Sequence, residues 1–164
     1  MKWGLPLSIL CGLALTVGIW WKLVAAPDQT ERELFDKLEA LTSANPPQAA
    51  DVVDAFELDA ECATESCFLD PGNIASLQYS GGDIRPQGKS VIFVLEGFSG
   101  TCIRVDRVER RFGTAAPTQE CSHGGCWYRE AQYDWGIIGF GVKERGARCV
   151  DSVVVNTHSY THPR

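Results

Sequence analysis

The sequence has few of the residues and motifs that identify common enzymes or nucleic-acid-binding proteins. Its 164 residues include only three histidines, and 15 Lys and Arg stand against 21 Asp and Glu, giving a net charge of −6. A chain this acidic, without a basic run, is poorly suited to neutralise a phosphate backbone. No G-x-S-x-G, H-E-x-x-H or phosphate-cradling glycine motif occurs. We therefore expect no nucleic-acid partner, no cofactor and no metal, and the sequence favours a non-catalytic protein without excluding an enzyme.

Charge is also missing from residues 3–21, which form one apolar run, WGLPLSILCGLALTVGIWW. A helix of this length spans roughly 29 Å, about one hydrocarbon core. Trp20 and Trp21, which end the run, and Lys22, which follows it, are typical of a membrane–water boundary. We interpret residues 1–27 as a transmembrane anchor or uncleaved signal. The alternative is a signal peptide cleaved after Ala26, which Pro27 disfavours because it would directly follow the cut.

Both alternatives export residues 28–164. Without Lys2 and Lys22 this part keeps 13 basic and 21 acidic residues, a net charge of −8. It contains no Asn-x-Ser/Thr glycosylation site. The sequence thus predicts a single-pass protein of a bacterial inner membrane, with its C-terminal domain in the periplasm.

Seven cysteines in a short exported chain predict disulfide bonds. Cys11 belongs to the apolar run. The other six follow an apparent internal repeat, in which two C-x4-C loops are each followed by a strand, a turn and a cysteine-headed strand. The repeat predicts the pairs Cys62–Cys67, Cys121–Cys126 and Cys102–Cys149.

The exported part reads as an α+β fold with one domain. Residues 28–59 are a helical segment with amphipathic helices at 30–44, capped by Thr30, and at 47–58. Residues 60–157 form a disulfide-braced β-rich part, a mostly antiparallel meander of about six strands built from two half-repeats. The predicted strands are 75–79, 90–95, 102–108, 127–132, 137–142 and 150–155. Residues 158–164 are a flexible tail.

Three chemical alternatives compete with a purely structural role for the cysteines. Cys62, Cys67, Cys121 and Cys126, with His123, match a zinc-ligand spacing, but oxidising conditions favour bonded sulfurs. Thiol–disulfide catalysis would need C-x-x-C at a helix N-terminus. A metal-dependent or hydrolytic envelope enzyme would have to use His123 and nearby acids.

Recognition of another protein is the function that the sequence favours. Five aromatic and basic residues of the kind that anchor interfaces lie close together: Trp127, Tyr128, Arg129, Tyr133 and Trp135. The negative domain would attract a basic partner. We expect a membrane-anchored binding module, such as an inhibitor, an immunity factor or an envelope accessory protein, whose partner is another envelope or secreted protein.

Overall fold

The computed structural model describes residues 28–44, 46–114, 119–120 and 127–158. These residues form an α+β fold, as predicted. The helices are α1 (Gln29–Ser43), α2 (Ala49–Phe56) and α3 (Val105–Phe112), and a 3-10 helix spans Ala60–Ala63. The strands are β1 (Cys67–Leu69), β2 (Gly72–Ile74), β3 (Leu77–Tyr79), β4 (Gly81–Gln87), β5 (Ser90–Glu96), β6 (Gln119–Glu120), β7 (Trp127–Tyr133), β8 (Gly136–Val142) and β9 (Ser152–Asn156).

The first helix, α1, is the amphipathic helix predicted at residues 30–44. Its buried side carries Leu34, Leu38 and Leu41 at helical spacing. The helix is capped by Asp28, whose carboxylate accepts a hydrogen bond from the Thr30 N–H at 3.1 Å. The prediction that Thr30 is the cap was therefore wrong. The Thr30 hydroxyl instead lies 2.6 Å from Ser76 Oγ, in the turn between β2 and β3.

A third helix, α3, stands where we predicted a strand at residues 102–108, and that prediction was wrong. The alternation of apolar and charged residues breaks at Arg107, whereas Val105, Val108 and Phe112 share one side of a helix. Gly113 then ends the helix in the left-handed conformation, with φ of 67°. An isolated bridge between Arg104 and Cys149 is what remains of the strand pairing.

The main sheet is antiparallel, in the order β1-β4-β5-β9-β8-β7-β6, and β6 contributes only two residues. A mostly antiparallel sheet of about six strands is thus confirmed, but the strands do not follow a meander. The last strand, β9, lies between β5 and β8, so that Val154 pairs with Val94 on one side and Gly139 on the other. The consecutive apolar residues of β9 suit a central strand that contacts side chains on both faces. Strands β2 and β3 form a separate pair.

Strand β4, which forms a hairpin with β5, is absent from the strands predicted from the sequence. The two strands pair from Gly81 with Glu96 to Gln87 with Ser90. Gly88, in the tight turn that joins them, has φ of 67°. Glycine adopts this conformation without the steric cost that a side chain would bring.

The two predicted half-repeats have equivalent strands in the sheet but different continuations. Strands β5 and β8 flank β9 on opposite sides. After Cys102 the chain turns into α3, whereas after Cys149 it continues into β9. The repeat remains a prediction, and the cysteine-headed strand of its first copy is a helix.

The hydrophobic core lies between the helices and one face of the sheet. Phe56 of α2 lies 4.6 Å from Phe93 of β5, measured between ring centroids. Phe112 of α3 lies 5.0 Å from Phe140 of β8 and 5.3 Å from Phe35 of α1. All three helices therefore sit over the same face, which we call the inner face, and the opposite one is the outer face.

Candidate functional site

The outer face of the sheet carries a patch of partly exposed apolar side chains. In β5 the burial alternates, so that Val91, Phe93 and Leu95 are buried on the inner face. Ile92 and Val94, between them, are partly exposed on the outer face. Neighbouring strands add residues of the same kind. We define the outer patch as Ile92, Val94, Tyr128, Ile137 and Val154.

Cross-strand pairing makes the outer patch continuous. Val94 is the direct partner of Val154, and Asn156 of β9 links Ile92 to Ile137. Directly opposite residues of an antiparallel pair have their Cβ atoms about 5 Å apart, close enough for aliphatic side chains to touch. An antiparallel sheet with one solvated face normally shows polar side chains there. Four aliphatic residues in the centre of this face are therefore unusual for a surface with no partner.

Tyr128 covers the backbone of β8 at the edge of the outer patch. A Cβ atom added at Gly139 would lie 3.4 Å from Tyr128 Cδ1, and one at Gly141 would lie 3.1 Å from Tyr128 Cε1. The two glycines thus leave the space in which the ring rests. This packing holds the ring against the sheet and presents it as part of the surface.

The rim of the outer patch is mostly acidic. Glu96 of β5 is exposed and Glu130 of β7 is partly exposed. Asp83 of β4, which pairs with Val94, forms an ion pair with Arg85. Asp83 is only 8% exposed, and its Oδ1 has no hydrogen-bond partner among the described residues. A buried acceptor without a donor is costly.

The five predicted interface residues do not share one surface. Tyr128 lies in the outer patch. Arg129, its neighbour, points to the inner side, where it forms an ion pair with Glu109 of α3 and its side chain is 14% exposed. This division follows from the alternation of side chains along a strand. The side chain of Trp127 lies outside the described residues.

Tyr133 and Trp135 form a stacked pair at the β7–β8 turn. Their ring centroids are 4.8 Å apart and the planes differ by 2°. Trp135 is 7% exposed and belongs to the core. Burial raises the pKa of Tyr133, and the negative charge of Glu39 raises it further. Both effects keep the phenol protonated. Because Trp135 is buried and Tyr133 only partly exposed, the pair offers little contact area to a partner.

A second surface feature, which we call the Phe68 groove, lies at the β1 edge of the sheet. It has a volume of about 370 Å³. Its apolar wall consists of Leu58, Leu69, Tyr79 and the Cys62–Cys67 disulfide. Its rim carries the carboxylates Glu57, Asp59, Glu61 and Asp70. Phe68 itself is 91% exposed.

A larger cavity, of about 600 Å³, lies beside the Cys102–Cys149 disulfide. Three arginines line it, but two of them already have carboxylate partners. Arg104 binds Asp106 at 2.8 Å, and Arg129 binds Glu109. Arg104 is also the main reason that the pKa of Asp106 is lowered. These pairs leave little free charge for a ligand.

The disulfides and histidines decide what metal or thiol chemistry the described residues offer. Cys62 is bonded to Cys67, and Cys102 to Cys149, as the repeat predicts for these four residues. The zinc alternative required Cys62 and Cys67 as thiolates, which this bond excludes. In the described ranges no group of three or more His, Cys, Asp and Glu could hold a metal ion. Cys121, Cys126 and His123 lie outside those ranges, so their roles stay predictions.

Comparisons with protein-family models, curated proteins and solved structures found no match. No helix within the described part of the chain is long and apolar enough to cross a membrane. The predicted anchor at residues 3–21 lies outside it.

The sequence analysis predicted neither the outer patch nor the exposure of Phe68. The sequence does contain a pattern that indicates the patch. The segments Val91–Val94 and Val153–Val155 are apolar at consecutive positions, not at alternate ones. Such runs indicate strands that bury or present apolar side chains on both faces. Nothing in the sequence distinguishes Phe68 from the many aromatic residues that end in a core.

Proposed function

We propose that this chain is a membrane-anchored, extracytoplasmic protein-binding module that contacts another envelope or secreted protein through the outer patch. The observation that carries the proposal is the cluster of four partly exposed aliphatic residues on the uncovered face, with the Tyr128 ring beside them. Apolar patches of this kind on monomers mark interaction sites. Tyrosine is also enriched among residues that dominate binding energy.

The disulfides and the charge support the assignment to an exported module. Cys102–Cys149 and Cys62–Cys67 suit an oxidising compartment. An inhibitor, an immunity factor or an envelope accessory protein would each use a rigid surface of this kind. The two-layer fold provides it, because the sheet is fixed from behind by the helix layer. The alternative is a metal-dependent or hydrolytic envelope enzyme that uses His123 and nearby acids, and His123 lies outside the described residues.

Site-specific photocrosslinking in the native host tests the proposal. A photoreactive phenylalanine analogue replaces Val94 or Ile137 in the full chain, and a matched pair of variants carries it at the exposed loop positions Asp134 and Glu144. We expect a discrete adduct with one other protein from the patch positions, identified by mass spectrometry. The loop positions should give none.

Two outcomes contradict the proposal. Equal adducts from the patch and loop positions would show that the patch has no specific partner. An adduct of twice the mass of the chain, containing only its own peptides, would show self-association in place of binding to another protein.

A further inference from the structure

The outer patch alone is too small for a stable interface. Its four neighbouring strands and about five residues along each give a face of roughly 19 Å by 17 Å. A stable protein interface covers about 800 Å² on each partner, well over twice that flat area. A partner bound to the patch must therefore also contact neighbouring surface, and the exposed Phe68 indicates that this surface lies toward the β1 edge.

Phe68 continues the outer patch toward the β1 edge. It pairs with Asp83, which pairs with Val94, which in turn pairs with Val154. These residues form one row across the outer face. Phe68 is the large hydrophobic side chain that stands out as exposed in the described part of the chain, at 91%. Aromatic side chains, phenylalanine included, are enriched in protein interfaces, so an exposed Phe68 at the end of this row suits a contact with a partner.

The charges around Phe68 select the chemistry of what binds there. Four carboxylates line the groove, and none of its lining residues is a lysine or arginine. Glu57 already forms an ion pair within the chain, because Lys37 Nζ lies 2.9 Å from its Oε1. Asp59, Glu61 and Asp70 take part in none of the ion pairs found in the described ranges. Three exposed negative charges thus surround an apolar wall.

Asp83 adds a buried acceptor to the same region. Its Oδ1 has no hydrogen-bond partner among the described residues, and its Oδ2 pairs with Arg85, whose side chain is 53% exposed. A cationic side chain that enters beside Phe68 would supply the missing donor. The carboxylates on the groove rim and the unpaired Asp83 Oδ1 both favour a cationic ligand.

We propose that the Phe68 groove binds an extended, basic segment of the partner, in which lysine or arginine residues alternate with apolar ones. The apolar side chains would pack on Phe68, Leu69 and Tyr79, and the basic ones would meet Asp59, Glu61 and Asp70. This inference rests on the proposed function, because the segment belongs to the protein seated on the outer patch. A second copy of the chain is disfavoured, since it would bring two acidic rims together. An anionic membrane surface is disfavoured for the same reason.

A labelled peptide tests the chemistry directly. The probe is a fluorescein-tagged nonapeptide of alternating lysine and leucine, and its counterpart has glutamate in place of lysine. The full chain is kept in a nonionic detergent, and fluorescence anisotropy reports binding at low and high salt. We expect the lysine probe to bind, the glutamate probe to fail, and binding to weaken as salt rises.

Two variants and a matched control locate the binding site. Phe68→Ala should weaken binding of the lysine probe about tenfold. The double variant Asp59→Asn with Glu61→Gln should weaken it about fivefold at low salt. The control, Asp134→Asn with Glu144→Gln, removes the same number of charges from exposed loop residues and should change binding less than about twofold. Circular dichroism confirms that each variant is folded.

The outcomes separate this inference from the proposed function. No binding of the lysine probe, or equal binding by the groove and control variants, would overturn the basic-segment inference while leaving the photocrosslinks at Val94 intact. Binding that is lost in Val94→Asp but kept in Phe68→Ala would move the segment onto the outer patch, which also overturns it. Loss in the groove variants alone supports it.

Discussion

Glu31 provides the sharpest test of how this fold is held together. It lies in the first turn of α1, where an acidic residue is expected on the surface. Instead it is 1% exposed. Its Oε1 accepts a hydrogen bond from the backbone N–H of Arg104 at 3.0 Å, just before α3, and its Oε2 binds the guanidinium of Arg107. One carboxylate thus joins two helices that are more than 70 residues apart in sequence.

The cost of losing Glu31 follows from its burial. In Glu31→Ala, the Arg104 N–H and the Arg107 guanidinium lose their acceptor, and the Arg107 side chain, at 22% exposed, is only partly solvated. Removing one partner of a buried ion pair costs about 3–5 kcal/mol. Glu31→Gln keeps a hydrogen-bonding side chain of the same shape and should cost less, about 1–3 kcal/mol. Either loss is large beside the 5–15 kcal/mol that typically stabilises a domain.

Urea unfolding at pH 7, followed by circular dichroism, measures these differences. Glu39→Ala is the matched control, since Glu39 pairs with Arg111 on the same two helices but the side chains are 37% and 50% exposed. It should lose no more than about 1 kcal/mol. The m-values should agree among the variants. A loss below about 1 kcal/mol for Glu31→Ala would refute the reasoning, because it would mean that the buried carboxylate contributes no more than the exposed one.

Two further predictions concern the disulfides and one ion pair. Replacing both cysteines of Cys102–Cys149, which are 47 residues apart, should lower the free energy of unfolding by about 4 kcal/mol. Replacing both of Cys62–Cys67, which are 5 residues apart, should lower it by about 2 kcal/mol, because opening the shorter loop adds less entropy to the unfolded chain. Equal losses in urea unfolding would contradict this order. The Lys37 hydrogen bond, followed by its charge, lowers the pKa of Glu57 from its ordinary 4.5, so the pair stabilises the fold above that ordinary pKa and the contribution disappears as the pH falls through the lowered one. NMR titration should find the Glu57 pKa higher in Lys37→Met, and an unchanged pKa would argue against the pair.

The predictable parts of the fold are those with a strong local period. Helix α1 was predicted within one residue at each end, because three leucines recur at helical spacing. Strands β5 and β8 were predicted from runs of apolar and β-branched residues, in which Val91, Phe93 and Leu95 face the core. Helix α3 was mistaken for a strand because Ile103 and Val105 alternate with charged residues. Its true period becomes visible only when Val108 and Phe112 are included.

The candidate site was less predictable than the fold. Aromatic residues near one another in sequence suggested a surface from Trp127 to Trp135, yet strand alternation and the β7–β8 turn separate them. Tyr128 faces outward, Arg129 faces α3, and Trp135 enters the core. The Phe68 groove combines β1 with α2 and the 3-10 helix, so its carboxylates meet only after these elements pack. The spacing of residues along the chain therefore does not predict that these carboxylates lie around one groove.

The sequence by itself determined the class of fold, the acidic charge and the pairing expected for the cysteines, since these depend on composition, short periods and repeated spacing. The tertiary structure decided which face of the sheet the helices cover, where β9 enters it, and what lies beside Phe68. Those properties depend on contacts between residues far apart in the chain. A strand such as Val153–Val155, apolar on both sides, does not specify which side will be covered until the helices have packed against one of them.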